Sequence, residues 1–503
     1  MTRPFLLLAF LTCMAAAPVM ASDRVAMVIG MGDYEVLPDL VNPSRDAEGV
    51  ATALREIGFE VELFVDAPLE AVEEGLEAFS FRAETADLAL IYFAGHGIQV
   101  QGENYLLPVD AQITSNAEAQ AQSLSLSQFL ASVDRARRMR IVILDACRDA
   151  PFGQTIGSVA LEAAQAPSTA GETNGTRSAG GGGLAAPSPD RGTLVAFAAK
   201  DGHVALDGAG DNSPFATALM DKLPRAGLEI SLMFRQVRDQ VMYETGNQQE
   251  PYVYGSLPGI PYFLAGPAAG QDALPADDVI NAWSSLRTSD EEALLALADA
   301  GDTRSMVGLA YKRMNPASDF RPEEAYALFK RAADAGSAVA QFELAKLYEQ
   351  GIGVPQNNEQ ARSYFRRSAE SGFPDALNDM GFMHFQGGLG FPIDRQVALS
   401  YFRRAADARH PEAQYNFAAL IDDGVVPDLG PEDAARYLYA ALRSGSERVL
   451  AILEERPTMF TTETRRAVQE QLRQREFYIG PLDGDFGPST RRGLRAAYGV
   501  SPG

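Results

Sequence analysis

A nine-residue segment occurs three times in the second half of the chain, and its spacing limits how that half can fold. The copies are Ala325–Ala333, Ala361–Ala369 and Ala398–Ala406, which places successive starts 36 and 37 residues apart. Each copy is followed by a second stretch with helical periodicity, and these stretches cover residues 340–349, 376–385 and 413–420. A helix pair of this length cannot bury a hydrophobic core alone, so neighbouring pairs are expected to stack into an α-solenoid.

These copies resemble the Sel1-like branch of tetratricopeptide-type repeats. Weaker copies flank them at residues 294–312 and 431–453, so we expect repeats across residues 291–455. The resemblance implies contact with protein partners. A passive spacer is the alternative.

The first half of the chain has a different pattern, in which short apolar strands alternate with helices over residues 23–265. Predicted strands cover residues 24–30, 59–65, 88–94, 140–144 and 193–198, and predicted helices cover residues 46–57 and 69–81. Such alternation predicts an α/β domain with a mostly parallel sheet and helices on both of its faces. Residues 266–290 are rich in Ala, Pro and Gly and then polar, which predicts a linker.

Residues able to do chemistry follow three of the predicted strands. His96 is expected in a glycine-bracketed turn after residues 88–94, and Cys147 comes soon after residues 140–144. The segment after Ala198 follows the next strand. Because ligands bind beyond the carboxyl ends of parallel strands, this shared placement predicts a single site.

Cys147 and His96 have the residue types that thiol-based hydrolysis needs. A cysteine is mostly protonated near neutral pH, so a neighbouring imidazole must take its proton, and donors must face the developing oxyanion. Gly95 and Gly97 remove side-chain bulk around His96 and leave the Gly97 N–H approachable. A buried, inert cysteine that packs as a small hydrophobic residue is the alternative. The remaining histidines are assigned to the repeats or to a loop: His384, His410 and His203.

Two short motifs resemble those of caspase-like peptidases, including metacaspases and their bacterial relatives. They are Tyr92–Gly97, which contains His96, and Leu144–Asp149, which contains Cys147 51 residues later, a spacing typical of the family. The resemblance covers residues 23–265 and implies a cysteine endopeptidase that hydrolyses peptide bonds. It further implies that Cys147 attacks the carbonyl, that His96 handles the proton, and that the N–H groups of Gly97 and Cys147 form the oxyanion hole. Further similar residues are Gly30, Asp46–Ala47 and Asn104–Pro108.

The same resemblance bears on the substrate. Caspases bind an aspartate with arginines, but Asp207 stands where one such basic residue is expected, and Asp145 matches an acidic pocket residue of metacaspases. Two carboxylates would attract a guanidinium or ammonium group and repel a carboxylate, which predicts cleavage after Arg or Lys. Alternatively, Asp145 orients backbone and Asp207 is a turn residue. Arg45 is the other candidate for a caspase-type pocket arginine, but its sequence context is more typical of a helix start.

Residues 153–191 interrupt the α/β pattern. This stretch is rich in Gly, Ser, Pro and Ala and poor in hydrophobic residues, which predicts a disordered loop. By resemblance it lies where caspases are cut between their large and small subunits. Arg177 and Arg191 are therefore candidate self-cleavage sites, and a passive insertion is the alternative.

Residues 1–21 are typical of a secretory signal peptide. Arg3 precedes an apolar run, and Val19–Ala21 offers small residues before the expected cut. The run is short for a membrane span, and no later run is longer, so we expect a periplasmic or secreted mature chain without a transmembrane segment. An uncleaved anchor is the alternative. Cleavage would remove Cys13 and leave Cys147 as the single thiol.

The net charge of -24 argues against a nucleic-acid partner, since phosphate-binding surfaces need clustered Lys and Arg. No cofactor or metal site is predicted. Some metacaspases need calcium, but no calcium-loop spacing occurs in this chain, so calcium activation has no motif to support it.

The C-terminal residues 460–500 form a separate segment. A helix is predicted to begin at Val468, and residues 480–490 match the Gly-x-x-Asp-Gly-x-Phe-Gly-x-x-Thr pattern before a second helix. This resembles the small helical peptidoglycan-binding module and implies either cell-wall binding or a docking role. The sequence thus predicts an exported endopeptidase that acts on peptide or protein substrates. The alternative is a catalytically weak adaptor that binds proteins through its repeats at the cell envelope.

Overall fold

A computed structural model describes residues 23–101, 103–147, 192–200, 205–208, 210–257, 261–266, 279–284, 288–317 and 320–500. They divide into two compact units, one ending at Phe417 and the other starting at Ala418. The predicted signal peptide and the predicted loop 153–191 lie outside the described residues. None of the helices in the described ranges is long and apolar enough to cross a bilayer.

The first unit contains a mixed, mostly parallel sheet of eight strands. They are β1 (Arg24–Gly30), β2 (Glu60–Val65), β3 (Leu88–Val100), β4 (Glu103–Leu106), β5 (Leu124–Ser125), β6 (Met139–Cys147), β7 (Thr193–Phe197) and β8 (Tyr252–Ser256). The main order is β2-β1-β3-β6-β7-β8, with β4 pairing to β3 and β5 pairing to β4. Within the described sheet, the antiparallel pairs are β3–β4, β4–β5 and β7–β8, and the other four pairs are parallel. The predicted mostly parallel sheet is confirmed.

The central strands are continuous apolar runs because both of their faces are covered. Every residue of β3 from Leu88 to Ala94 is buried, and β7 is buried along its whole length. The surrounding helices are α1 (Pro43–Glu56), α2 (Leu69–Ala83), α3 (Asn116–Ala121), α4 (Leu126–Val133), α5 (Pro214–Lys222) and α6 (Ile230–Glu244). Helix α1 begins three residues before the predicted start, with Pro43 in its first turn, a position that proline favours.

The register between β3 and β6 brings the two predicted motifs together. The strands pair in parallel from Leu88 opposite Met139 to His96 opposite Cys147. The prediction that His96 lies in a turn was wrong, because β3 continues through it. Residues 97–100 pair with β4, and this second partner keeps the backbone extended beyond Gly95.

Paired helices follow the sheet in sequence. They are α7 (Val279–Ser284), α8 (Thr288–Asp299), α9 (Thr303–Arg313), α10 (Pro322–Asp334), α11 (Ala338–Gln350), α12 (Asn358–Glu370), α13 (Pro374–Gln386), α14 (Arg395–Asp407) and α15 (Pro411–Asp422). The repeated segment forms the first helix of each pair, in α10, α12 and α14. Its first alanine and its phenylalanine are buried in all three copies: Ala325, Ala361 and Ala398, and Phe329, Phe365 and Phe402. The predicted helical repeats are confirmed.

The second unit continues with α16 (Pro431–Arg443), α17 (Glu447–Glu455), α18 (Thr462–Gln474) and α19 (Pro488–Tyr498). The predicted start of a helix at Val468 was wrong. Helix α18 begins six residues earlier, at Thr462, because the Thr461 side chain caps its N-terminus by accepting the N–H of Thr464. The loop between α18 and α19 carries the glycine-rich pattern. Buried Gln469 holds this loop, since its side chain accepts the N–H of Gly484 at 2.8 Å and donates to Asp483 at 3.0 Å.

Candidate active site

The imidazole of His96 is held by a backbone carbonyl. Its Nε2 lies 2.8 Å from the carbonyl oxygen of Pro38, in the segment that follows β1. A carbonyl only accepts hydrogen bonds, so Nε2 carries the hydrogen of the neutral ring and Nδ1 is the basic nitrogen. Nδ1 is buried and has no hydrogen-bond partner among the described residues. The ring is therefore oriented with one nitrogen available to take a proton.

Cys147 is the last residue of β6 and the Cα partner of His96 on the neighbouring strand. Adjacent strands in a sheet are about 4.8 Å apart, so the two backbones are direct neighbours. Gly97 continues the same edge. A Cβ there would lie 3.1 Å from Ala146 Cβ, so glycine permits this close approach of β3 to β6.

Asp145 lies two residues before Cys147 and is 8% exposed. Its carboxylate accepts the hydroxyl of Ser213 at 2.6 Å and the hydroxyl of Tyr92 at 3.3 Å. Burial, followed by the nearby charge of Asp46, raises the pKa of Asp145 from 3.8 to about 7. Burial also raises the pKa of Tyr92 well above 10.0, so Tyr92 stays protonated and donates.

Asp46, on α1, is a second buried carboxylate, and the sequence analysis did not assign it to the site. It is 1% exposed and accepts the Asn212 amide at 2.8 Å and the Ser213 N–H at 3.0 Å. Burial raises its pKa to about 6, although the hydrogen bonds from Asn212 and Ser213 oppose the shift. The available signal was an acidic residue on the apolar face of α1, next to Ala47 and Val50.

Asp207 is the third carboxylate, and it lies against the segment after β1. Its carboxylate accepts the N–H of Val41 at 3.2 Å, and its backbone carbonyl accepts the side-chain amide of Asn42. A small cleft joins the three acids, and none of its described lining residues is basic. These residues are Leu40, Pro43, Asp46, Ala94, Gly95, Asp145, Ala205, Leu206, Asp207 and Ser213.

Arg45 does not line this cleft. Its guanidinium bonds to Asn42 and lies 3.6 Å from the exposed carboxylate of Asp211. The neighbouring side chains of Arg45 and Asp46 thus face different surroundings, and the one that lines the cleft is acidic. The candidate cleavage residues Arg177 and Arg191, and also His203, lie outside the described residues.

Comparison with known families gives a match for each of two regions. Residues 23–259 match the caspase domain family. Residues 318–337, 338–373 and 374–410 each match the Sel1 repeat family.

Curated relatives share only segments with the chain. It is 27% identical over 130 residues, 26% of its length, to the human mucosa-associated lymphoid tissue lymphoma translocation protein 1, and covers 15% of that protein. It is 36% identical over 70 residues, 14% of its length, to chitin synthase regulatory factor 2 of Schizosaccharomyces pombe, and covers 14% of that protein. The chain thus spans about one seventh of the length of these relatives.

Two solved structures are similar to parts of the chain. Caspase-1 from Spodoptera frugiperda is 16% identical, with a TM-score of 0.33, and the alignment covers 50% of this chain and 93% of that one. A Sel1 repeat protein from Oxalobacter formigenes is 26% identical, with a TM-score of 0.32, over 41% of this chain and 55% of that one.

Proposed function

We propose that this chain, which carries a caspase domain followed by Sel1 repeats, is an exported cysteine endopeptidase that cleaves after Arg or Lys. One observation carries the proposal. His96 is the backbone neighbour of Cys147 and has its Nε2 engaged by Pro38, which leaves Nδ1 as the ring nitrogen without a hydrogen-bond partner among the described residues.

In the proposed mechanism, Nδ1 of His96 takes the proton of the Cys147 thiol. The thiolate attacks the scissile carbonyl carbon, and the N–H groups of Gly97 and Cys147 donate to the oxyanion. Collapse breaks the C–N bond, the leaving amine takes the proton from the imidazolium, and a thioester remains. His96 then deprotonates a water molecule, which hydrolyses the thioester and restores the thiol. The Pro38 carbonyl supports each protonated state because it accepts the Nε2 hydrogen throughout.

The acidic cleft supports a basic residue at the cleaved bond. Asp46, Asp145 and Asp207 all line the cleft and can accept hydrogen bonds, and a guanidinium offers five N–H donors in a planar fork. Burial of Asp46 and Asp145 without a cation favours their neutral forms, so an entering cation would be bound together with loss of protons. An aspartate side chain would bring a further negative charge into the cleft, which disfavours its binding.

The deciding experiment is hydrolysis of fluorogenic peptides that end in Arg, Lys or Asp before the reporter. We expect release from the Arg and Lys peptides and none from the Asp peptide. Cys147→Ala should abolish release, while Cys13→Ser, the matched substitution of the other cysteine, should leave it unchanged. An arginyl chloromethyl ketone should also label Cys147 covalently.

The alternative function is a catalytically weak adaptor. The helical repeats are as compatible with an adaptor as with a peptidase. Absence of release from every peptide, together with absence of labelling at Cys147, would support the adaptor and contradict the peptidase proposal. Binding of proteins through the repeats is compatible with either function, so partner binding alone does not separate them.

Three further proposals rest on sequence patterns. Self-cleavage after Arg177 or Arg191 predicts two fragments from the active chain and one intact band from Cys147→Ala. A signal peptide in residues 1–21 predicts a mature N-terminus at Ser22 in the periplasmic or secreted fraction. Peptidoglycan binding by residues 460–500 predicts cosedimentation of the full chain with purified cell-wall sacculi.

A further inference from the structure

The hydroxyl of Tyr34 is hydrogen-bonded to the backbone of His96 and of Leu107. It accepts the N–H of His96 at 2.8 Å and donates to the carbonyl oxygen of Leu107 at 3.2 Å. The N–H of Leu107 in turn donates to the carbonyl oxygen of His96 at 3.0 Å. These three bonds form a closed set that fixes both polar groups of the His96 backbone.

The ring of Tyr34 also restrains the imidazole itself. The two ring centroids are 4.7 Å apart with an interplanar angle of 47°, a packing contact between flat side chains. Pro38, whose carbonyl engages Nε2, lies four residues further along the same segment. Residues 31–42, which we name the clamp segment, therefore hold the backbone, the ring face and one ring nitrogen of His96.

The clamp segment has its own anchors. The carboxylate of Asp66 accepts the N–H groups of Gly32 at 2.7 Å and Asp33 at 3.0 Å. The carboxylate of Asp39 accepts the N–H of Tyr34 at 3.0 Å. Tyr34 is 6% exposed, and the bonds of its hydroxyl to His96 and Leu107 are buried. The position of Tyr34 is thus set by contacts within the fold and does not depend on a bound substrate.

Gly95 is needed for this arrangement. Its φ of +152° is one that other residues rarely adopt, and a Cβ at this position would lie 2.7 Å from the Tyr34 hydroxyl oxygen. A side chain at position 95 would therefore displace the hydroxyl that bonds to His96. Gly95 therefore makes room for the Tyr34 hydroxyl. This role is more specific than the one expected from the sequence, which was to remove side-chain bulk around the imidazole.

We infer that Tyr34 is a positioning residue for His96, an inference that rests on the proposed function. Without its hydroxyl, the His96 N–H loses this partner. The clamp segment then contacts β3 through the bonds of Pro38 to the imidazole and of Met31 to Ala94, neither of which holds the His96 backbone N–H. The imidazole would then point Nδ1 towards Cys147 for a smaller fraction of the time. Small misplacements of a catalytic group lower turnover by factors of about ten to a hundred.

The test measures the reactivity of the Cys147 thiol in the full chain carrying Cys13→Ser, so that it has a single thiol. Iodoacetamide alkylation rates are recorded from pH 5 to 10 for this parent, Tyr34→Phe, His96→Ala and the control Tyr252→Phe, a half-exposed tyrosine on β8. We expect the Cys147 thiol of His96→Ala to react only as an ordinary thiol does, with the midpoint of its rate profile at about pH 8.5. Tyr34→Phe should react about tenfold more slowly than the parent at pH 6.5 and equally fast at pH 9.5. Its kcat on an arginyl peptide should fall about tenfold while KM stays within about twofold.

The outcomes separate the two claims. Identical profiles for the parent and His96→Ala would reject the dyad, and the inference would fail with it. A shifted profile for His96→Ala, with Tyr34→Phe following the parent, would leave the dyad standing and overturn the role of Tyr34. If Tyr34→Phe does not fold, 3,5-difluorotyrosine at position 34 replaces it and is compared with the parent at pH 5 to 6, where its more acidic phenol is still protonated and its oxygen is a weaker acceptor than that of tyrosine. A parent-like alkylation profile for that chain would then overturn the inference, and a shift towards the His96→Ala profile would support it.

Discussion

Asp46 and Asp145 are joined through a single residue, Ser213. Its backbone N–H donates to Asp46 at 3.0 Å and its hydroxyl donates to Asp145 at 2.6 Å. Both carboxyl groups are buried, with pKa values of about 6 and about 7. Burial therefore favours the protonated forms of both carboxyl groups, and the cleft is most negative above pH 7.

Recognition of an arginyl substrate is expected to weaken with falling pH. Because the pKa values of Asp145 and Asp46 are raised, these carboxylates become neutral as the pH falls from about 7 to about 6 and lose their attraction for a guanidinium. The ratio of kcat/KM for an arginyl peptide to that for its citrulline analogue should fall about tenfold between pH 8 and pH 5.5. Any pH dependence that comes from His96 and Cys147 is common to both peptides, so it drops out of this ratio. A pH-independent ratio would show that neither carboxylate contacts the substrate.

Asp145→Asn should stabilise the folded chain at pH 8 while lowering its activity. A carboxyl group whose pKa is raised on folding favours the folded state below its unfolded pKa of 3.8, and this contribution is lost as the pH rises through about 7. Asparagine resembles the protonated acid at every pH and can still accept from Ser213. We expect the free energy of unfolding to increase at pH 8 by on the order of a few kcal/mol, with no gain near pH 4. Calorimetry in a Cys147→Ala background checks this without self-cleavage, and equal gains at both pH values would contradict the stated cause.

Arg45 and Asp46 should differ sharply in their effect on specificity. Asp46→Asn removes a buried carboxylate from the cleft and is expected to lower kcat/KM for the arginyl peptide by about ten- to a hundredfold. Arg45→Ala should change it less than about twofold, because that side chain faces Asp211. Glu48→Gln, on the exposed side of the same helix, is the matched loss of an acid. If Arg45→Ala is the variant that impairs cleavage, the assignment of the cleft is wrong.

The elements that the sequence predicted well are those with a strong local period. The repeated segment of α10, α12 and α14 has its alanines and phenylalanines at fixed offsets, so the buried face follows directly from the pattern. The apolar runs of β1, β3, β6 and β7 likewise predicted central strands. The prediction that His96 and Cys147 lie at one edge of the sheet needed only the rule that parallel strands point their carboxyl ends to the same edge.

The parts that could not be predicted depend on contacts between distant segments. That β3 continues through His96 depends on pairing with β4, which apolar periodicity does not reveal. The roles of Pro38 and Tyr34 depend on where the clamp segment lies against β3. Asp46 is separated from Ser213 by 167 residues, so its inclusion in the cleft required the fold. Local sequence supplies the reacting groups, whereas tertiary contacts decide how these groups are held.

The glycine-rich pattern of the C-terminal module gives the last prediction. Gln469 is fully buried, and its side chain bonds to five residues of the following loop and helix: Tyr478, Asp483, Gly484, Asp485 and Thr490. Gln469→Ala would leave the buried N–H of Gly484 without this partner, at a cost of about 1 to 3 kcal/mol, and would remove the other bonds that join the loop to α18. We expect residues 460–500 to become sensitive to proteolysis in the full chain. Arginyl-peptide cleavage should be unchanged, since Gln469 lies outside the unit that contains His96.

The control is Gln474→Ala. Gln474 is an exposed glutamine on the same helix that bonds only to Glu470 among the described residues, so its loss should leave both properties intact. Equal proteolytic sensitivity of the two variants would mean that the bonds from Gln469 to Asp483 and Gly484 are not what holds the loop.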